Sequence, residues 1–182
     1  MNQGLIPARY AKALFDYAAE NGKDTALFDT MQTLAKSFEL EPSLGKVMAN
    51  PFVSPADKVG LLDTAAGPGA KDEPVFQRFM KLLAQNGRID AVREIALAYI
   101  GLYRRRHGIK LVTVTSAAPL DPADEARLKA IISSHLGGAT MEYRTQVDPD
   151  LIGGFTVAID NEKLDASVAN ELKQLRQHLL SN

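Results

Sequence analysis

The chain has no cysteine among its 182 residues. That excludes disulfides, thiolate metal ligands and a cysteine nucleophile, and it agrees with a reducing compartment. Tryptophan is absent too, and only three histidines occur, His107, His135 and His178. Each stands without a second histidine or an acid at ligand spacing on its own helix face, whereas a zinc or di-metal site needs several ligands converging. No apolar run approaches the ~20 residues that span a bilayer. The opening stretch, MNQGLIPARYAKALF, lacks a basic segment followed by an apolar one, so it does not read as a secretory signal. Helical patterning begins almost at once, so no transit segment is expected ahead of the fold. A net charge of −1 gives the whole chain no electrostatic claim on nucleic acid or anionic lipid. The expectation is a cytosolic protein that does not insert into a membrane directly.

What is present is a globular composition, 46% hydrophobic and 24% charged, long enough for one or two domains. The pattern changes character near Gly108. Before it, every segment reads as helix. The first helix, about Pro7 to Asn21, repeats Tyr10, Ala11, Leu14, Phe15 and Ala18 at helical spacing and stops at Gly22. The second runs from about Asp24 to Phe38 with Leu27, Met31, Leu34 and Phe38 on one face, and the third is a short piece from Pro42 to Ala49. Ser54 reads as an N-cap with Pro55 at the first helical position, opening a fourth helix that carries Val59, Leu62 and Ala65. A fifth starts near Asp72 and ends at Asn86-Gly87. A sixth starts near Asp90 and ends in Arg104, Arg105, Arg106 and His107.

After Gly108 the period alternates between two and 3.6. Leu111–Thr115 reads as a strand, and Asp121-Pro122 opens a helix through Ile132 and His135. Met141–Val147 and Gly153–Ile159 read as two more strands. Asp165 reads as the cap of a last helix carrying Val168, Leu172, Leu175 and Leu179. The predicted class is α+β. A six-helix bundle over residues 1–107 is followed by a small β-α-β-β-α domain over 108–182.

The sequence offers no constellation for chemistry. Gly153-Gly154 lies in neither a GxGxxG nor a Walker-type motif and no helix follows it directly, so it reads as a tight entry into a strand. No serine sits in a GxSxG elbow. The acids are scattered and mostly sit at helix starts, where capping explains them. The basic run Arg104–Arg106 falls in a last helical turn, where cations suit the helix dipole. A nucleic-acid-binding adaptor built on that run is the rival reading. Against it, residues 108–182 hold 7 basic and 10 acidic residues, a net −3, with no aromatics interleaved among the arginines.

The first helix carries the strongest hint. Its apolar positions wrap beyond the ~100° stripe that one core contact needs. Such a helix is either central in the bundle or one wall of a groove that receives another helix.

Its residues Ala8-Arg9-Tyr10-Ala11-Lys12-Ala13-Leu14-Phe15 resemble the opening signature of the delta subunit of F-type ATP synthases. That family includes the mitochondrial oligomycin-sensitivity-conferring protein. Asn50-Pro51-Phe52-Val53 with Lys58 and Leu61-Leu62 is similar to the family's turn into its fourth helix. Phe79 to Ile89, with its Asn86-Gly87-Arg88 break, resembles the next block. Val147 to Phe155, then Asp165-Ala166-Ser167-Val168 with Leu172 and Leu175, resemble the C-terminal signature. The matches cover nearly the whole chain in order.

The resemblance implies a non-catalytic stator subunit with no cofactor, present once per complex, on the peripheral stalk at the cytoplasmic face of the membrane. It implies that the helical domain binds the N-termini of the head's alpha subunits, one of them as a helix between the first and fifth helices. It implies that the second domain binds the C-terminal end of the stalk's b subunits. Carried over, the groove residues are Tyr10, Ala11, Leu14 and Phe15 on the first helix and Phe79, Leu82 and Leu83 on the fifth. Periodicity assigns the same residues to the core, so wall and core are not separated at this level. Arg106, His107 and Gly108 are the expected hinge, because glycine permits a change of backbone direction.

Overall fold

The computed structural model of the chain describes residues 5–160, 162–170, 172–173 and 177. It divides into two compact units, Met1–Tyr103 and Arg104–Asn182. The division falls just before the expected 107/108 boundary because the last residues of the sixth helix group with the second unit.

The first unit holds α1 (Leu5–Glu20), α2 (Asp24–Leu40), α3 (Ser43–Ala49), α4 (Pro55–Ala65), α5 (Pro74–Gln85) and most of α6 (Val92–Arg106). A single 3-10 turn, Ile89–Ala91, leads into α6. Local chemistry sets the ends. Ser54 has extended backbone, and its hydroxyl accepts the Asp57 N–H at 3.2 Å, with Pro55 at the first helical position. After α5, Gly87 takes φ +61° and the Arg88 N–H returns to the Leu83 carbonyl at 2.8 Å. After α6, Gly108 at φ +64° does the same with Ile109 and Arg104. Both are C-terminal stops that glycine adopts without a Cβ penalty. Two helices begin later than expected, α5 at Pro74 and α6 at Val92.

Leu27, Met31, Leu34, Leu62, Phe76 and Ile95 are fully buried in the first unit's core. Tyr99 is buried among them and donates its hydroxyl to the Asp24 carbonyl at 3.1 Å. Burial, then the nearby Asp24, pushes that phenol well above its ordinary range. Tyr103 stacks on Phe28 with ring centroids 4.1 Å apart. The Lys58 ammonium is buried and donates to the Met48 carbonyl at 2.7 Å, tying the end of α3 to α4.

The second unit holds β1 (Lys110–Ser116), α7 (Pro122–His135), β2 (Met141–Val147), β3 (Gly154–Ile159) and β4 (Glu162–Ser167). The strands form one sheet in the order β2-β1-β3-β4. β1 pairs β2 in parallel, as the α7 crossover requires, and pairs β3 antiparallel. Val112 and Val114 of β1 and Val157 of β3 pack with Ile132 of α7 in its small core.

The structure corrects the expected β-α-β-β-α order, because a fourth strand stands where the last helix was expected to begin. β4 runs antiparallel to β3 with Leu164 opposite Val157. Asp165 sits in that strand and caps no helix. Its carboxylate accepts the Ser167 N–H at 3.0 Å, and the helical cap is Ser167, whose hydroxyl accepts the Asn170 N–H at 3.2 Å. Residues 168–170 are helical. Val168 and Leu172 are partly exposed, whereas Leu175 and Leu179 lie outside the described residues. The strand escapes detection because Glu-Lys-Leu-Asp-Ala-Ser is an edge segment with almost no buried alternation.

Candidate functional site: a groove between two helices

Two apolar stripes run along α1, one residue out of phase. Ala11, Leu14, Phe15 and Ala18 form one, spaced i, i+3, i+4, i+7, and all are buried. Tyr10, Ala13, Leu14 and Tyr17 form the second with the same spacing. A shift of one residue rotates a helical stripe by about 100°. α5 repeats the arrangement: Phe76, Phe79, Met80 and Leu83 face the core, and Val75, Arg78, Phe79 and Leu82 form the shifted set. The two shifted stripes face each other across an open cavity of about 370 Å³ with almost wholly apolar walls. Leu14 and Phe79 belong to both stripes, so they are at once core and groove floor.

Four of the seven groove residues expected from the sequence line this cavity: Tyr10, Leu14, Phe79 and Leu82. Ala11, Phe15 and Leu83 do not line it and are buried in the bundle. Phe15 lies with its ring 6.0 Å from Tyr99 and 6.4 Å from Tyr103, centroid to centroid. Arg9, Ala13, Tyr17, Val75 and Arg78 also line the cavity and were missed. The second i, i+3, i+4, i+7 pattern on each helix is the signal that could have found all of these but Arg9.

Polar contacts bridge the two helices around the apolar floor. The Asn86 amide donates to the Tyr10 hydroxyl at 3.2 Å, and the Arg78 guanidinium donates to the Tyr17 hydroxyl at 2.6 Å. Between them Tyr10 meets Phe79 edge to face, centroids 6.3 Å apart. The lining supplies aliphatic and aromatic surface, two phenols and two guanidiniums. That lining contains no nucleophile beside a base. Among the described residues no three histidine, aspartate or glutamate side chains converge as a metal site would. Among them, too, no helix is long and apolar enough to cross a membrane.

The basic run at the end of α6 is not a free cationic strip. Arg104 grips Glu142 of β2 through two hydrogen bonds of 2.8 and 2.9 Å. Burial would raise that carboxyl, but hydrogen bonds from Arg104 and Arg144 and their charges hold it below its ordinary range. Glu142 thus engages the first member of the run, and the nucleic-acid reading finds no support.

An open apolar groove on a helical unit, joined in one chain to a small α/β unit, defines an adaptor-type protein. The comparisons say which one. Residues 6–179 match the family model of the ATP synthase delta (OSCP) subunit. The chain is 39% identical over 182 residues to ATP synthase subunit delta of Parabacteroides distasonis, covering all of this chain and 99% of that one. It is 37% identical over 180 residues to the subunit delta of Bacteroides thetaiotaomicron, with 99% and 96% covered. A chain in the cryo-EM structure of the Toxoplasma gondii mitochondrial ATP synthase hexamer shares the fold at a TM-score of 0.75 and 18% identity, with 96% of this chain and 97% of that one aligned. The chain belongs to the ATP synthase delta (OSCP) subunit family. It is a non-catalytic peripheral-stalk subunit of an F-type ATP synthase and serves ATP synthesis and proton transport as part of that complex.

Proposed function

We propose that the first unit grips the catalytic head by taking an N-terminal segment of an alpha subunit, as a helix, into the groove between α1 and α5. One observation carries the reading: beside the stripe that each helix buries in the core, both hold a second, largely apolar stripe that lines an open cavity. A helix with i, i+3, i+4, i+7 anchors fits such a trough. A stator holds the head while a rotor turns, and that task needs slow dissociation and no chemistry. Covering apolar walls supplies it at roughly 25 cal/mol per Å2 before ordering costs.

The second unit, in this reading, takes the C-terminal end of the stalk's b subunits. Val147, Ile152 and Leu164 support it as exposed apolar side chains on that unit. One copy serves each complex at the cytoplasmic face of the membrane. The expected hinge, Arg106-His107-Gly108, falls inside the second unit, where Gly108 turns the chain from α6 into β1.

The test is calorimetric titration of the full chain with a peptide from the N-terminus of the alpha subunit of the same organism. Saturable binding is expected, and Ala13→Trp should remove it by filling the trough from its exposed side while the helical circular dichroism is kept. Binding that survives Ala13→Trp undiminished would place the alpha segment elsewhere. No binding by the folded chain would remove the groove reading.

A further inference from the structure

The rim of the groove is charged with one sign. Arg9 and Arg78 both line it and no carboxylate does. Among the described residues neither guanidinium is paired with an acid. Arg78 is not a loose surface cation, because its Nη1 donates to the Tyr17 hydroxyl at 2.6 Å across the trough. That bond fixes the guanidinium over one end of the cavity and leaves its other N–H groups to bind a carboxylate. Arg9 lies toward the opposite end, one residue before Tyr10. From Arg9 to Tyr17 the helix advances eight residues, or about 12 Å at 1.5 Å per residue. An apolar floor flanked by one arginine rooted at Arg9 and another held by Tyr17, about two helical turns further along α1, is a pattern with a direction and a sign.

We infer that the groove selects its occupant by charge as well as by apolar fit, taking an amphipathic helix with acidic residues about two turns apart that bracket its apolar anchors. This rests on the groove reading above and adds the chemistry of the ligand. The apolar contact supplies most of the holding. The two arginines fix where along its length the helix seats, since sliding by one turn takes both carboxylates away from their partners. They also reject a helix with lysines at those positions, because like charges would then meet at both ends. Tyr17 is a positioning residue: it touches the ligand's carboxylate only through the guanidinium it holds.

The experiment uses the full chain and three synthetic amphipathic peptides that share one leucine face. They differ only in carrying Glu, Gln or Lys at two positions about two turns apart. Exposed ion pairs contribute up to about a factor of five each, so the Glu peptide should bind roughly tenfold more tightly than the Gln peptide at low salt, with the Lys peptide weakest. The Glu preference should shrink as salt rises. Arg9→Gln together with Arg78→Gln should erase it, so that the variant binds the Glu and Gln peptides equally. Tyr17→Phe should reduce it in part. Both arginines are exposed, so these variants keep the fold, and circular dichroism checks that they do. Equal binding of all three peptides would overturn charge selection and leave the groove intact. So would a Glu preference that survives both arginine substitutions. Binding of none of the three would overturn the inference, and the alpha-subunit titration then says independently whether the groove reading falls with it.

Discussion

Leu82 and Leu83 are neighbours on α5, yet the structure gives them opposite fates. Leu83 is 0% exposed in the bundle core, and Leu82 is 44% exposed on the groove wall. Replacing each with alanine should therefore separate folding from binding. For Leu83→Ala the cost is the lost transfer energy plus a cavity in close-packed surroundings, about 3 kcal/mol within the usual 2–5 range. The variant should lose a large part of a typical domain's stability. For Leu82→Ala the folded state loses only a partly solvated side chain, under about 1 kcal/mol.

In binding the order reverses. Fully burying a leucine side chain is worth about 2 kcal/mol. An occupant that covers the exposed 44% of Leu82 gains a little under half of that, about 0.9 kcal/mol. Losing it should weaken the alpha-subunit peptide roughly fivefold. Urea unfolding followed by far-UV circular dichroism reads the first quantity, and calorimetric titration of the folded protein reads the second. The reasoning is refuted if Leu82→Ala lowers the unfolding midpoint as far as Leu83→Ala does, or if it leaves peptide affinity untouched. Leu14→Asp cannot make the distinction, because Leu14 is itself buried at 3% exposure and a charge there would unfold the unit.

Two further predictions concern the second unit. Gly154→Ala should detach β4, because at φ +76° the new Cβ would lie 2.4 Å from the Ala166 carbonyl oxygen and 3.1 Å from the Ser167 Cα. The cost should exceed about 2 kcal/mol, seen as fast hydrogen exchange in β4 with exchange in α1–α5 unchanged. Glu142 is held below its ordinary value in the folded state, so its contribution is present above the unfolded carboxyl's pKa and is lost as pH falls through the folded one. Glu142→Gln should accordingly be less stable than the parent at pH 7, by about 1 kcal/mol for a partly exposed pair, and the gap should close as the pH falls below the ordinary carboxylate range. A gap independent of pH would show that Arg104 and Arg144 do not act on Glu142 through its charge.

Most helices of the first unit were legible because their caps and periods agree. Ser54-Pro55 and Asn86-Gly87 each announce an end that the structure keeps. β4 was not, because an exposed edge strand buries too little to leave an alternating pattern, and Asp165 and Ser167 carry the same capping chemistry two residues apart. The groove was half legible for a different reason. On α1 and α5 the core stripe and the groove stripe have the same spacing and differ by one residue, with Leu14 and Phe79 common to both. Periodicity sums the two into a single broad apolar arc and picks the largest side chains from either. That is how Phe15 and Leu83, which are core, entered the expected site, and how Ala13, Tyr17 and Arg78 stayed out. What separates the stripes is the polar edge that only the second one carries: Arg9, the Tyr10 and Tyr17 hydroxyls, and Arg78. A stripe that serves only the core has no use for guanidiniums at its margin. A stripe that must hold a partner against water, and hold it in one register, has use for both the apolar floor and the charged rim.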